Sequence, residues 1–106
     1  MIRTIKPQEF KSLLGNKNVT LLDVRRKDDY DADSTVIPGS NWLDPSQLDS
    51  WSATLPADKE VVLYCVRGGA VSNSVVDALQ AKGLKARFIE GGISAWKEAG
   101  GSVAQK

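Results

Sequence analysis

Histidine is absent from all 106 residues, and cysteine occurs once. Without histidine, neither a Ser-His-Asp nor a Cys-His mechanism can be assembled within the chain. A single thiol closes no internal disulfide, and without a Cys/His cluster no zinc site is expected. No charge dominates either, since 14 Lys+Arg stand against 13 Asp+Glu for a net charge of +1. Nucleic acid and anionic membrane surfaces call for a clustered basic excess, so neither is an expected partner. Long apolar runs are also missing. The longest, at 61–66, has six residues, against the roughly 20 that span a bilayer. The opening MIRTIK lacks the apolar region of a secretory signal. These absences lead to the expectation of a soluble cytoplasmic monomer with a reduced thiol, no metal and no cofactor.

What is present is ordinary for a globular domain, with 42% apolar and 25% charged residues. The length fits one domain over 1–106, with a core of about 2–99 and a C-terminal tail at 100–106. Residues 2–5 read as a short strand. Pro7 suits a first helical position, and Phe10, Leu13 and Leu14 follow at helical spacing until Gly15-Asn16. Residues 19–24 form an apolar run rich in strand formers. Residues 25–35 are polar and acidic, Ile37-Pro38-Gly39 is a turn signal, and 40–43 reads as another short strand. Asp44 is placed to cap a helix over 45–54, with Gln47 completing a capping box.

Residues 61–65 form the clearest strand, continuous and apolar as in a sheet covered on both faces. A helix over 71–82 would turn Val71, Val75, Val76 and Leu79 inward, and Gly83 ends it. A last strand at 86–89 leads through Gly91-Gly92, read as a tight turn, into a helix carrying Ile93 and Trp96. Strands alternating with helices predict an α/β fold with a parallel sheet and right-handed crossovers. Such sheets carry their sites at the carboxyl ends of their strands.

The lone thiol falls at such an end. Cys65 closes the best strand, and Val66, Arg67, Gly68, Gly69, Ala70 and Val71 lead into the helix. Two glycines permit a tight loop whose successive N–H groups can converge above the sulfur, and the helix N-terminus adds its dipole. Settings of this kind stabilise a thiolate, or an anion attached to the sulfur, without histidine. A free cysteine at the end of an apolar strand is otherwise packing. Here the order of strand, thiol, Gly-Gly loop and helix favours chemistry. Arg67 is the loop's one charge, either a solvated loop residue or a clamp for an oxyanion.

These residues resemble a single-domain rhodanese, a thiosulfate sulfurtransferase-like domain. The matching pieces are Leu21-Leu22-Asp23-Val24-Arg25 with Tyr30 following, then Ile37-Pro38-Gly39-Ser40, then Val62-Leu63-Tyr64-Cys65 with its loop. Glu90-Gly91-Gly92-Ile93-Ser94-Ala95-Trp96 completes the set. They occur in the family's order over about residues 2–99. The resemblance implies a three-layer fold, a five-stranded parallel sheet with helices on both faces. It also implies that Cys65 accepts a sulfane sulfur from thiosulfate, a polysulfide or a persulfide. The resulting persulfide would pass that sulfur to cyanide, a small thiol or a protein cysteine. Asp23 and Arg25 end the second strand, and in the family the matching Asp supports the site by hydrogen bonding; strand-end packing or a salt bridge is the plainer role.

Three positions depart from the family pattern. Many members carry Arg five residues after the cysteine, where this chain has Ala70, and the loop is read as one residue longer. That length resembles related phosphatases and arsenate reductases with a Cys-x5-Arg pattern, although the sixth residue here is Val71. Val36 replaces the usual His before Ile-Pro-Gly. A Cys-based phosphatase or arsenate reductase is therefore one alternative to sulfur transfer, and a non-catalytic rhodanese-like interaction module is another.

Other features have plainer readings. The acidic run at 28–33 fails as a calcium loop, because a register from Asp29 puts Ser34 at the glycine position and Ser40 at the glutamate position. It is read as a solvated face. Trp42, Trp51 and Trp96 are read as core or pocket walls, Tyr64 as structural, and Ser72, Asn73 and Ser74 as helix caps.

Overall fold

The computed structural model describes residues 3–106; Ile2, the first residue of the expected opening strand, lies outside them. At the centre is β5 (Glu60–Tyr64), flanked by β2 (Val19–Asp23) and β6 (Ala86–Ile89). The edges are two-residue strands, β1 (Thr4–Ile5) beside β6 and β4 (Asn41–Trp42) beside β2. All four pairings are parallel, giving the expected five-stranded parallel sheet in the order β1-β6-β5-β2-β4.

Helices cover both faces, which explains why β5 carries no polar residue between Val61 and Tyr64. Successive strand side chains point to opposite faces, and β5 divides accordingly. Val61, Leu63 and Cys65 join one cluster with Val75, Val76 and Leu79 of α4 (Ala70–Ala81) and Trp51 of α3 (Leu48–Ser52). Val62 and Tyr64 join another with Phe10 of α1 (Pro7–Lys11) and Ile93 and Trp96 of α5 (Gly92–Glu98). Among the described residues no helix is long and apolar enough to cross a membrane. Nor does any group of three or more His, Cys, Asp and Glu stand where it could hold a metal.

Several elements differ from the sequence reading. The first helix stops at Lys11, and turns carry the chain on to Gly15. Asp44 does act as a cap, accepting from the Ser46 amide, but it starts a 3-10 turn (Pro45–Gln47) that precedes α3. Gln47 donates its own amide to the Asp44 carbonyl, and its side chain closes no capping box. The acidic run is solvated yet helical as α2 (Lys27–Ala32), with Asp28 and Asp29 in the first turn and a Lys27–Asp31 ion pair one turn apart. The C-terminal segment after residue 99 is bonded to the rest of the fold. Gly101 donates to the Trp96 carbonyl, and the Trp96 indole N–H donates to the Ser102 carbonyl. The chain then pairs antiparallel as β7 (Ala104–Gln105) with β3 (Thr35–Val36).

Candidate active site

The alternation along β5 determines where the thiol points. Cys65 shares its parity with Val61 and Leu63, so it faces α4, and its residue is only 6% exposed. There it meets a buried hydroxyl, for Ser72 Oγ donates to Cys65 Sγ across 2.9 Å. Helix α4 begins at Ala70, one residue earlier than expected. Ala70 and Val71 therefore belong to its first turn, and only 66–69 are loop. Ser72 stands inward at the third helical position, and no side chain caps the helix at Gly69. Asn73 bonds the Gly69 carbonyl through both its amide and its side chain. The capping role expected for Ser72 is thus replaced by a contact with the sulfur.

The loop is held from below. The amides of Ile93 and Ser94, at the start of α5, donate to the carbonyls of Cys65 and Val66. Gly92 (φ +63°) passes so close that a Cβ there would overlap both carbonyls, while Gly68 (φ +70°) lies against the Gly91 amide. Glycine is required at 92 for approach as well as for turning. With the Cys65 and Val66 carbonyls tied to α5 and that of Gly69 to Asn73, the loop leaves donors free. The N–H groups of Val66, Arg67, Gly68, Gly69, Ala70 and Val71 find no acceptor among the described residues. Arg67 is exposed and enters no ion pair among them.

Asp23 and Arg25 share this end of the sheet but lie on its other face, that of Tyr64. Both are buried, at 0% and 1% exposure, and Arg25 grips both Asp23 oxygens through Nε and Nη2, the shortest contact being 2.7 Å. Arg25 also donates to Asp33 Oδ2 and to the Thr35 carbonyl. Tyr64 Oη donates to Asp23, receives the Ile37 amide and meets Ser40 Oγ at 2.9 Å. Burial weakens the Arg25 charge, yet the hydrogen bond and charge of Asp23 outweigh it and hold the guanidinium pKa above its ordinary value. Burial and the Asp23 charge together push the Tyr64 hydroxyl pKa well up, so it stays protonated as a donor. Among the described residues the pair makes no hydrogen bond to Cys65 or its loop. It connects to the thiol through the backbone, where the Val24 amide donates to the Tyr64 carbonyl beside Cys65.

Sequence reasoning missed Ser72 as a partner of the sulfur and α5 as the support of the loop. The adjacent Gly91-Gly92 was the available signal for the latter. A cleft of about 490 Å³ adjoins the site, lined by Ala70 and Val71 on one side and Asp44–Ser46 and Leu48 on the other.

A parallel α/β sheet covered on both faces, with a lone thiol where its central strand runs into a glycine loop, defines a class of Cys-centred domains. Residues 6–99 match the Rhodanese-like domain family, and the chain belongs to it. It is 33% identical over 90 residues to a tRNA sulfurtransferase from Desulfurococcus amylolyticus, covering 85% of this chain but 17% of that protein. A rhodanese-related protein from Thermoplasma volcanium superposes with a TM-score of 0.85 at 29% identity, covering 98% of this chain and 99% of that one. A Rhodopseudomonas palustris protein described as a possible tyrosine phosphatase superposes with a TM-score of 0.81 at 28% identity, covering 97% and 85%.

Proposed function

We propose that this protein is a sulfurtransferase that carries sulfane sulfur as a persulfide on Cys65. The observation carrying this reading is the thiol itself, hydrogen-bonded by Ser72 at 2.9 Å and followed in the chain by six consecutive N–H groups, those of 66–71, without acceptors among the described residues. In the first step the Cys65 thiolate attacks the outer sulfur of thiosulfate. The S–S bond breaks, and sulfite leaves with its electron pair. The persulfide anion then rests against the donors of 66–71, with Arg67 reading the departing sulfonate. Cyanide, a small thiol or a protein cysteine attacks the outer sulfur next, and Cys65 leaves as thiolate. Neither step needs a protein proton shuttle, so the absence of histidine is no obstacle. Asp23 and Arg25 support the site at one remove, by fixing the end of β2 against the strand that delivers the thiol.

The test is intact mass after incubation with thiosulfate or polysulfide, followed by thiocyanate release with cyanide. A gain of one sulfur atom, absent in Cys65→Ser, is expected. No adduct from either donor would sink the reading. The likeness to the Rhodopseudomonas palustris protein favours phosphate-ester hydrolysis as a second reading. Against it, Val71 stands where a phosphate-gripping arginine belongs, and turnover of an aryl phosphate decides between them.

A further inference from the structure

The cleft beside the thiol loop has a composition that inorganic sulfur donors do not require. Its volume, about 490 Å³, lies within the roughly 300–1,000 Å³ of small-molecule sites. Val71, Val75 and Leu48 form its apolar wall, and all three pack in or against the cluster that contains Cys65. Ser72, the next residue after Val71, bonds the sulfur. Cleft and thiol therefore share one turn of α4.

The rim carries both signs of charge. Lys27 is paired with Asp31, but Arg26 enters no ion pair among the described residues. On the other side Asp44 receives the amide and hydroxyl of Ser46 on Oδ1, and Oδ2 accepts no hydrogen bond among the described residues. The Ser46 bonds, with a smaller contribution from the charge of Lys27, hold the Asp44 carboxyl below its ordinary range and keep it anionic. An uncommitted guanidinium and an uncommitted carboxylate oxygen over an apolar wall complement a ligand with an anionic group, a cationic group and a short aliphatic body.

We infer that this cleft binds a zwitterionic aliphatic thiol of the amino-acid kind, the acceptor of the sulfur held on Cys65, with Arg26 on its carboxylate and Asp44 on its ammonium. The inference rests on the persulfide reading above. The acceptor's thiolate attacks the outer sulfur of the Cys65 persulfide. A new S–S bond forms to the acceptor, the Cys65 S–S bond breaks, and Cys65 departs as thiolate. The zero-valent sulfur moves without any external oxidant or reductant. A second carboxylate on the ligand would be repelled by Asp44, and a neutral thiol would leave both charges unused.

Protein charged with polysulfide and freed of excess is mixed with L-cysteine, 3-mercaptopropionate, 2-mercaptoethylamine or 2-mercaptoethanol at equal thiolate concentration, and with cyanide in parallel. L-cysteine is expected to discharge the persulfide at least tenfold faster than 2-mercaptoethanol, with the two singly charged thiols between. Arg26→Ala and Asp44→Asn are each expected to bring that ratio down toward one. Equal rates for all four thiols while cyanide still reacts overturn the cleft assignment and leave the persulfide reading standing. If no persulfide forms, the persulfide reading fails. The cleft is then judged by S-methyl-L-cysteine, which accepts no sulfur, through the NMR signals of the Val71 and Val75 methyls in the resting protein. A saturable shift that Arg26→Ala abolishes supports the assignment, and no shift overturns it.

Discussion

Ser72 Oγ and Cys65 Sγ stand 2.9 Å apart, seven residues apart in the chain and on opposite sides of the glycine loop. Ser72 holds a hydrogen-bond donor at the sulfur, and a hydrogen bond in which one partner carries charge is stronger than a neutral one. Ser72→Ala removes the donor while leaving a small residue in a buried position. Persulfide formation is expected to slow about tenfold, roughly 1.4 kcal/mol in the barrier. Alkylation of Cys65 by iodoacetamide at neutral pH should slow in parallel, with the thermal midpoint little changed. Unaltered alkylation would mean that the hydroxyl only fills space.

Gly92 and Gly69 predict opposite outcomes for the same substitution. A Cβ at 92 overlaps the Cys65 and Val66 carbonyls, whereas at 69 (φ −94°) it meets nothing within 4 Å. Gly92→Ala is therefore expected to push the loop off α5 and cut persulfide formation by at least two orders of magnitude, with a stability loss of about 3 kcal/mol or more. Gly69→Ala should stay within a few-fold of the parent in both. Mass spectrometry of the sulfur adduct and urea unfolding measure the two effects.

Arg67 is exposed and without an ion-pair partner among the described residues. If it reads the sulfonate, Arg67→Ala weakens use of thiosulfate by about tenfold and largely spares a polysulfide donor, which has no sulfonate to grip. Equal losses with both donors would assign Arg67 to shaping the loop.

The bidentate Arg25–Asp23 pair is buried on the face away from the thiol. Arg25→Met strands the Asp23 carboxylate in the interior, at an expected cost of about 3–5 kcal/mol in urea unfolding. Arg25→Lys should recover little of it, since one ammonium cannot reproduce the two-pronged grip.

Asp33 gives the fold a dependence on pH. Burial works against its charge, but hydrogen bonds from the Thr35 hydroxyl and amide and the ammonium of Lys97 outweigh it and hold its carboxyl below the ordinary range. The folded state thus binds the Asp33 proton less tightly than the unfolded chain does. The stabilisation is fully present above the unfolded value of about 3.9 and is lost as pH falls through the depressed folded value. Asp33→Asn should therefore cost about 1–2 kcal/mol near neutrality. That gap should narrow in acid when unfolding is followed across pH.

The central strands were legible because their pattern needs no partner to be interpreted. An apolar run at 61–65, too short for a helix, rich in strand formers and followed by glycines, reads as a covered strand, and the thiol at its end follows. Ser72 precedes Val75, Val76 and Leu79 by three, four and seven residues, so helical spacing already put it on the inward face. What hid it was its chemistry, because a serine near a helix start reads first as a cap. Strands β3 and β7 have two residues each and exist through a pairing made across some 70 positions of chain. No local signal announces such a contact. Helix α2 lacked an apolar stripe, and its Lys27–Asp31 spacing was hidden within an acidic run.

The parity of β5 has a thermodynamic consequence. Cys65 and Ser72 lie on one side of the sheet, while Asp23, Arg25, Tyr64 and Asp33 form a network on the other. Perturbations with no shared partner combine independently. A double-mutant cycle between Ser72→Ala and Asp33→Asn should close with a coupling energy within about 0.5 kcal/mol of zero. The sheet would then act as a partition, letting residues around the sulfur vary without renegotiating the ions that stabilise the fold.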